Sequence, residues 1–191
     1  MPNKQEKFAE FNSFENCSFL PFEKITEGHP LKGKWHAEQF KNNNPIILEL
    51  GCGRGEYTIG LAKNNPNKNF IGVDIKGNRI WTGAKHATEN KMNNVAFIRT
   101  RIDFIDNCFA KDEVDEIWIT FPDPQPNSTR VRKRLTNMMF LNRYFKFLKP
   151  NGLINLKTDN TGFYEYTLEV IAEEGFELIY STADLYTHNP S

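Results

Sequence analysis

Three glycines at alternate positions, Gly51, Gly53 and Gly55, follow an acid, Glu49. A second acid, Asp74, closes an apolar run about twenty residues further on. Glycine admits positive φ and lets a ligand approach the backbone, and a helix starting there points free N–H groups over the turn. A carboxylate at the end of the next strand accepts hydrogen bonds from ribose hydroxyls. Together these residues predict an adenosine site. The dinucleotide pattern Gly-x-Gly-x-x-Gly would need glycine where Glu56 stands, and a carboxylate at a helix start repels a pyrophosphate. A ligand with positive charge and no phosphate tolerates it, which disfavours a nicotinamide-dependent oxidoreductase. A purely structural turn is the alternative.

A second group of residues lies at Phe121-Pro122-Asp123-Pro124-Gln125-Pro126. Prolines on both sides hold Asp123 extended and stiff where an apolar run ends, as expected of a working acid. An exposed Asp in a proline-rich turn is the alternative. Arg130, Arg132, Lys133 and Arg134 put four cations into five residues, suited to phosphates or to a solvated basic face. The formal net charge is zero, yet Asn127–Lys149 carries seven Lys or Arg and no acid, while Asn160–Ser191 carries six acids and no Lys or Arg. A basic surface for RNA is therefore compatible with overall neutrality.

These residues must be positioned by alternating elements. Ile46–Leu50 reads as a strand entering the glycine turn, and the apolar positions after Gly55 read as a helix. Asn69–Asp74 is a second strand, Asn78–Lys91 a helix with Ile80, Ala84 and Ala87 on one face, and Val95–Arg99 a third strand. Asp103–Phe109 suggests a short helix and Glu113–Phe121 a fourth strand. A helix with Met138, Leu141, Phe145 and Leu148 as its core stripe is predicted to end near Gly152. Leu153–Thr158 is the fifth strand, ending at Asp159. A helix then carries Phe163, Tyr166, Val170 and Ile171, and Phe176–Tyr180 is a sixth strand. The alternation implies an α/β fold with a doubly wound, mostly parallel sheet.

Residues 1–44 lack a long periodic face and are expected to form an N-terminal arm with one short helix near Gln5–Phe14. Trp35 and Phe40 are packing residues in this reading, and His36 a surface histidine. Residues 45–191 form the remaining domain. With 191 residues, 39% apolar and 25% charged, one domain with a substantial core is expected. No apolar run spans a membrane and the first residues lack a signal-peptide core, so a cytoplasmic protein is expected. Cys17, Cys52 and Cys108 follow no metal-ligand spacing and read as reduced small hydrophobes, with no metal. A monomer and a homodimer are both compatible with the sequence.

Glu49 to Gly55, Glu-x-Gly-x-Gly-x-Gly, resembles motif I of class I methyltransferases, which bind S-adenosylmethionine. Phe121–Pro126 with the following Arg-Lys-Arg-Leu resembles the signature of bacterial tRNA (guanine-N7)-methyltransferases. Gly72-Val73-Asp74 and Lys157-Thr158-Asp159-Asn160 are similar to two further motifs of that family, in order over roughly residues 45–185. The resemblance implies a Rossmann-like methyltransferase fold, S-adenosylmethionine as cofactor, tRNA as partner, and methylation of a variable-loop guanine at N7. It implies cofactor contacts at Glu49, Gly51, Gly53, Gly55, Asp74 and Asp123, with Asp123 also the catalytic residue, orienting the reactants rather than acting as a base. Substrate contacts fall at Asn127, Arg130, Arg132, Lys133, Arg134, Thr158 and Asp159.

Three departures accompany the match. Gln125 stands where the family commonly has Trp, and Asn127 where it has Lys. Arg101 replaces the acid or amide usual after the third strand, so the adenine contact there falls to Arg101, its backbone or Asp103. A C-terminal Thr-x-x-Glu-type motif and the residues for an antiparallel seventh strand do not occur, implying a shortened form with reduced activity. The competing readings are a SAM-dependent amino-methyltransferase of another RNA or protein, and a non-catalytic RNA-binding module on the same fold.

Overall fold

The structure, a computed structural model, describes residues 2–184. Its centre is a six-stranded sheet, every pair of neighbours parallel. The strands are β1 (Cys17–Phe19), β2 (Ile46–Leu50), β3 (Asn69–Asp74), β4 (Val95–Arg99), β5 (Val114–Thr120) and β6 (Leu148–Lys157). Their order is β1-β4-β3-β2-β5-β6. The chain steps from β2 to β3 and β4 on one side, then returns to β5 and β6 on the other. The strand order therefore reverses beside β2, where open α/β sheets bind ligands at the carboxyl ends. All five residues of β2 are buried, as a central strand covered on both faces requires.

The helices are α1 (Lys4–Phe11), α2 (Glu56–Asn64), α3 (Gly77–Glu89), α4 (Met138–Tyr144) and α5 (Thr161–Glu174). In α3 the expected face is the buried one: Ile80, Ala84 and Ala87 are at most 1% exposed. Phe97 of β4 packs where α2 and α3 come close, and a Cβ on Gly55, Gly72 or Gly83 would stand within 3 Å of its ring. Contacts divide the chain into two compact units. Met1–Thr120 with Asn142–Lys157 holds the sheet and the glycine turn, and Phe121–Leu141 with Thr158–Ser191 holds the Pro-Asp-Pro loop, the basic cluster and α5.

The N-terminal segment is more structured than its sequence suggests. Cys17–Phe19 forms β1, in register with Phe97–Arg99, adding a strand where only an arm was expected. A three-residue strand has too little periodicity to be read, and its stability comes from the β4 edge. Glu113 then fastens the stretch before β2: its carboxylate accepts from the backbone N–H groups of Gly33, Trp35 and Ala110. Trp35 is fully buried, donates its indole N–H to the Cys108 carbonyl at 2.9 Å, and stacks on His29 at 5.1 Å. Phe40 is buried too, and His36 is half-buried with Nε2 3.1 Å from the Asn44 carbonyl.

Two expectations at the C-terminal side are corrected. The helix beginning at Met138 stops at Tyr144, and β6 takes over from Leu148, through Pro150. Leu141 and Leu148 are buried as expected, but Met138 is half-buried and Phe145 is 44% exposed, and Phe140, Tyr144 and Phe147 are the other buried positions, because the helix ends before the stripe does. Pro150 in a strand is tolerated because β6 is an edge strand. Phe176–Tyr180 forms no strand; Leu178, Ile179 and Tyr180 are exposed, since a strand-like run takes that form only when an edge pairs with it. The sheet reaches six strands through β1 instead. No antiparallel strand occurs among the described residues.

Candidate functional site

The glycine turn is built by its neighbours. As β2 ends, the N–H groups of Gly51 and Cys52 both donate to the Val73 carbonyl, at 2.8 and 3.0 Å, keeping the turn against the end of β3. Gly51, Gly53 and Gly55 all have positive φ, at 76°, 56° and 75°. A Cβ on Gly51 or Gly53 would meet nothing within 4 Å, whereas one on Gly55 would strike Phe97 at 2.7 Å. The first two therefore leave open space above the backbone, and the third serves the packing of α2. The residues present thus fit a ligand lying flat on the turn, beside the first helical turn of α2.

Asp74 closes one side of this cradle. Its Oδ2 accepts from the Gly53 N–H at 3.0 Å and its Oδ1 from the Lys76 N–H at 2.8 Å. One carboxylate thereby ties the turn after β2 to the turn after β3 and stays half-exposed at the sheet's carboxyl edge. Glu49 stands differently. It is 4% exposed, and its two oxygens accept from the hydroxyls of Thr58 in α2 and Thr120 at the end of β5. Burial pushes its carboxyl above the usual range, opposed by those two hydroxyl groups and assisted by the nearby Asp74 charge. Glu49 braces three elements beneath the turn. Sequence reasoning missed both threonines; the available signal was a hydroxyl on β5 and one on α2, both next to a strand carrying a lone acid.

Around the far side of Asp74, Arg99 lies between the rings of Phe8 and Phe19, 4.3 and 4.4 Å from their centroids. Arg101 is exposed, pairs with Asp103 at 3.3 Å and sits 5.6 Å from the Phe104 ring. Cys52 and Cys108 are buried and Cys17 half-buried, all with free thiols. Burial pushes the Cys108 thiol up to about 12, so these are packing residues rather than nucleophiles.

In the second unit, Asp123 is exposed, and its Oδ1 accepts from the Gln125 N–H at 3.1 Å. Phe121 and Gln125 on either side have φ of 45° and 47°, a left-handed conformation that costs non-glycine residues about 1–3 kcal/mol each. Arg134 restrains this strained loop. Its guanidinium donates to the carbonyls of Pro124 and Gln125 and lies 4.4 Å from the Tyr166 ring centroid. Arg130, Arg132 and Lys133, by contrast, are exposed. The Asn127 side chain accepts from the Thr129 N–H and hydroxyl, capping the helical turn Ser128–Lys133. Thr158 accepts from the Asn160 N–H, Asn160 caps α5 through the Phe163 N–H, and Asp159 between them is exposed. The structure thus gathers Glu49, the glycines and Asp74 into one cradle, and Asp123 with the cations into one loop.

Among the described residues no group of three or more His, Cys, Asp or Glu is placed to hold a metal ion, and no helix is long and apolar enough to cross a membrane. The sequence pattern of a family described as a putative methyltransferase matches residues 43–190. The chain is 52% identical over 190 residues to a tRNA (guanine-N(7)-)-methyltransferase of Christiangramia forsetii, covering 99% of this chain and 85% of that protein. A relative of the same name from Bacteroides fragilis is 52% identical over 185 residues, covering 96% of this chain and 73% of that one. Among solved structures, an antibiotic-related methyltransferase superposes with a TM-score of 0.60 at 20% identity, covering 82% of this chain and 81% of that chain. A 16S rRNA (adenine(1408)-N(1))-methyltransferase from Catenulisporales acidiphilia superposes with a TM-score of 0.55 at 16% identity, covering 84% and 70%. These two likenesses establish the Rossmann-like class I methyltransferase fold. With the sequence relatives, they make the chain a member of the tRNA (guanine-N(7)-)-methyltransferase family.

Proposed function

We propose that this protein transfers a methyl group from S-adenosylmethionine to N7 of a variable-loop guanine in tRNA, acting in the cytoplasm. The observation that carries the reading is the open space over Gly51 and Gly53 beside the Asp74 carboxylate, in a chain of this family. When bound, S-adenosylmethionine supplies an electrophilic methyl group on a sulfonium. Guanine N7 already presents a lone pair, so no proton has to leave and no covalent enzyme adduct forms. Holding the reactants in attack geometry supplies on the order of 7–11 kcal/mol of the barrier.

In this reading Asp74 takes the ribose hydroxyls, Gly51, Gly53 and Gly55 admit the ligand to the backbone, Glu49 holds the cradle together, and Arg101 lines the adenine end. Asp123 orients the base by accepting from its N1–H and amino group, or orients the cofactor's amino group. Its exposure and its stiff flanking prolines support that role. Asn127, Arg130, Arg132, Lys133, Thr158 and Asp159 contact the RNA, while Arg134 keeps the loop in shape. Residues 45–191 carry the chemistry, and the segment before them adds β1 to the sheet. A guanine N7 engaged in tertiary pairing must be everted, at a cost of a few kcal/mol.

The test is methyl transfer from labelled S-adenosylmethionine to an unmodified tRNA transcript, mapped by the chain cleavage that N7-methylguanine permits. Cleavage at the variable-loop guanine supports the proposal, and label at another base or none overturns it. Asp123→Asn is expected to lower turnover at saturating tRNA by about 10²-fold or more if the carboxylate orients the base. Full turnover would remove it from that role.

A further inference from the structure

We infer that Lys157, steadied by Tyr57, receives the carboxylate of the methionine half of S-adenosylmethionine; this rests on the cofactor reading above. Lys157 is the last residue of β6 and stands in register with Thr120, the residue whose hydroxyl braces Glu49. Its Nζ donates to the Tyr57 hydroxyl at 2.5 Å and lies 5.2 Å from the centre of that ring. Tyr57 is the second residue of α2, directly after the glycine turn. The pair is half-buried, so a cation is held at the carboxyl edge of the sheet against the first turn of α2.

The sheet order gives this cation its meaning. In β3-β2-β5-β6, Asp74 lies on one side of the turn after β2, and Lys157 on the other. A ligand whose ribose meets Asp74 and which crosses the open backbone at Gly51 and Gly53 presents its amino-acid tail towards β5 and β6. That half of the molecule carries a sulfonium, an ammonium and a carboxylate. A lysine repels the first two and attracts only the third, through a short charge-assisted hydrogen bond. Tyr57 serves by limiting the rotamers of a long side chain, so less freedom is lost when the carboxylate arrives.

Isothermal titration of the full chain with S-adenosylmethionine and with decarboxylated S-adenosylmethionine tests this, the two differing only in the carboxylate. The wild type is expected to bind the first about tenfold or more tightly than the second. Lys157→Met should erase that preference by weakening S-adenosylmethionine alone. Lys157→Arg should restore most of it, and Tyr57→Phe should lose part. Equal affinity of the wild type for both ligands overturns the inference and leaves the cofactor reading standing. So does an equal loss for both ligands in Lys157→Met, which would mark a structural role. A wild type that binds neither ligand overturns the cofactor reading itself. Should Lys157→Met fail to fold, the wild-type preference and the Tyr57→Phe variant still decide.

Discussion

The turn after β2 and the loop after β5 follow neighbouring parallel strands, yet they spend their polar groups in opposite ways. At the first, backbone N–H groups go to Val73, Asp74 joins two turns, and Glu49 is sealed by two threonine hydroxyls. Positive φ is carried there by glycines. At the second, Phe121 and Gln125 carry positive φ without being glycine, Asp123 is exposed, and three cations point to solvent. The difference teaches what each region is prepared for. In the proposed reading, the first is a cradle formed before its ligand arrives, and the second holds charged groups outward for a large anionic partner.

The largest expected effect breaks the cradle at its packing. Gly55→Ala places a Cβ 2.7 Å from Phe97 at a φ of 75° and should cost about 2–5 kcal/mol of stability by denaturant unfolding. Gly51→Ala, with the same φ but open space, should cost only about 1–2 kcal/mol and chiefly weaken cofactor binding. Equal losses of stability at the two positions would remove the division between ligand-facing and packing glycines.

The loop answers to a different readout. Replacing Arg130, Arg132 and Lys133 together by Ala should leave unfolding unchanged and make the log–log salt slope of RNA binding shallower by about 2, at roughly 0.7 per lost phosphate contact. Arg134→Met should do the reverse: turnover falls because the loop loosens, with the salt slope nearly constant. A slope change in Arg134→Met as large as that of the triple variant would place Arg134 on phosphate instead.

Next in size is Thr120→Val, which takes one hydroxyl from the buried Glu49 carboxylate. It should cost about 1.5–3 kcal/mol in thermal or denaturant unfolding. Adding Glu49→Gln should recover part of that loss, since an amide tolerates a missing donor better than a carboxylate does.

A pH-dependent effect lies in the N-terminal segment. Burial pushes the His29 imidazole down to about 4. Above about pH 6.5 it is neutral whether folded or not, and below that the unfolded chain binds the proton first. Stability from this residue is therefore complete above pH 6.5 and is lost as pH falls towards 4, by at most about 1.4 kcal/mol per pH unit. His29→Gln should flatten that part of the unfolding profile, and an unchanged slope would remove His29 as its source.

Much of this was legible in the residues themselves. Local chemistry determines the glycine turn, the acid ending β3, the buried face of α3 and the stiff Asp123 loop, because each depends on φ freedom, proline rigidity or period along a few neighbouring positions. Partners distant in sequence decided the rest. β1 exists because β4 offers it an edge, and Phe176–Tyr180 is not a strand because composition cannot supply one. Glu49 became a brace only when Thr58 and Thr120 converged on it, and Arg134 left the cation cluster because Pro124, Gln125 and Tyr166 surround it. A carboxylate or a guanidinium takes its role from what desolvates and pairs it, and those neighbours are assembled by the tertiary fold alone.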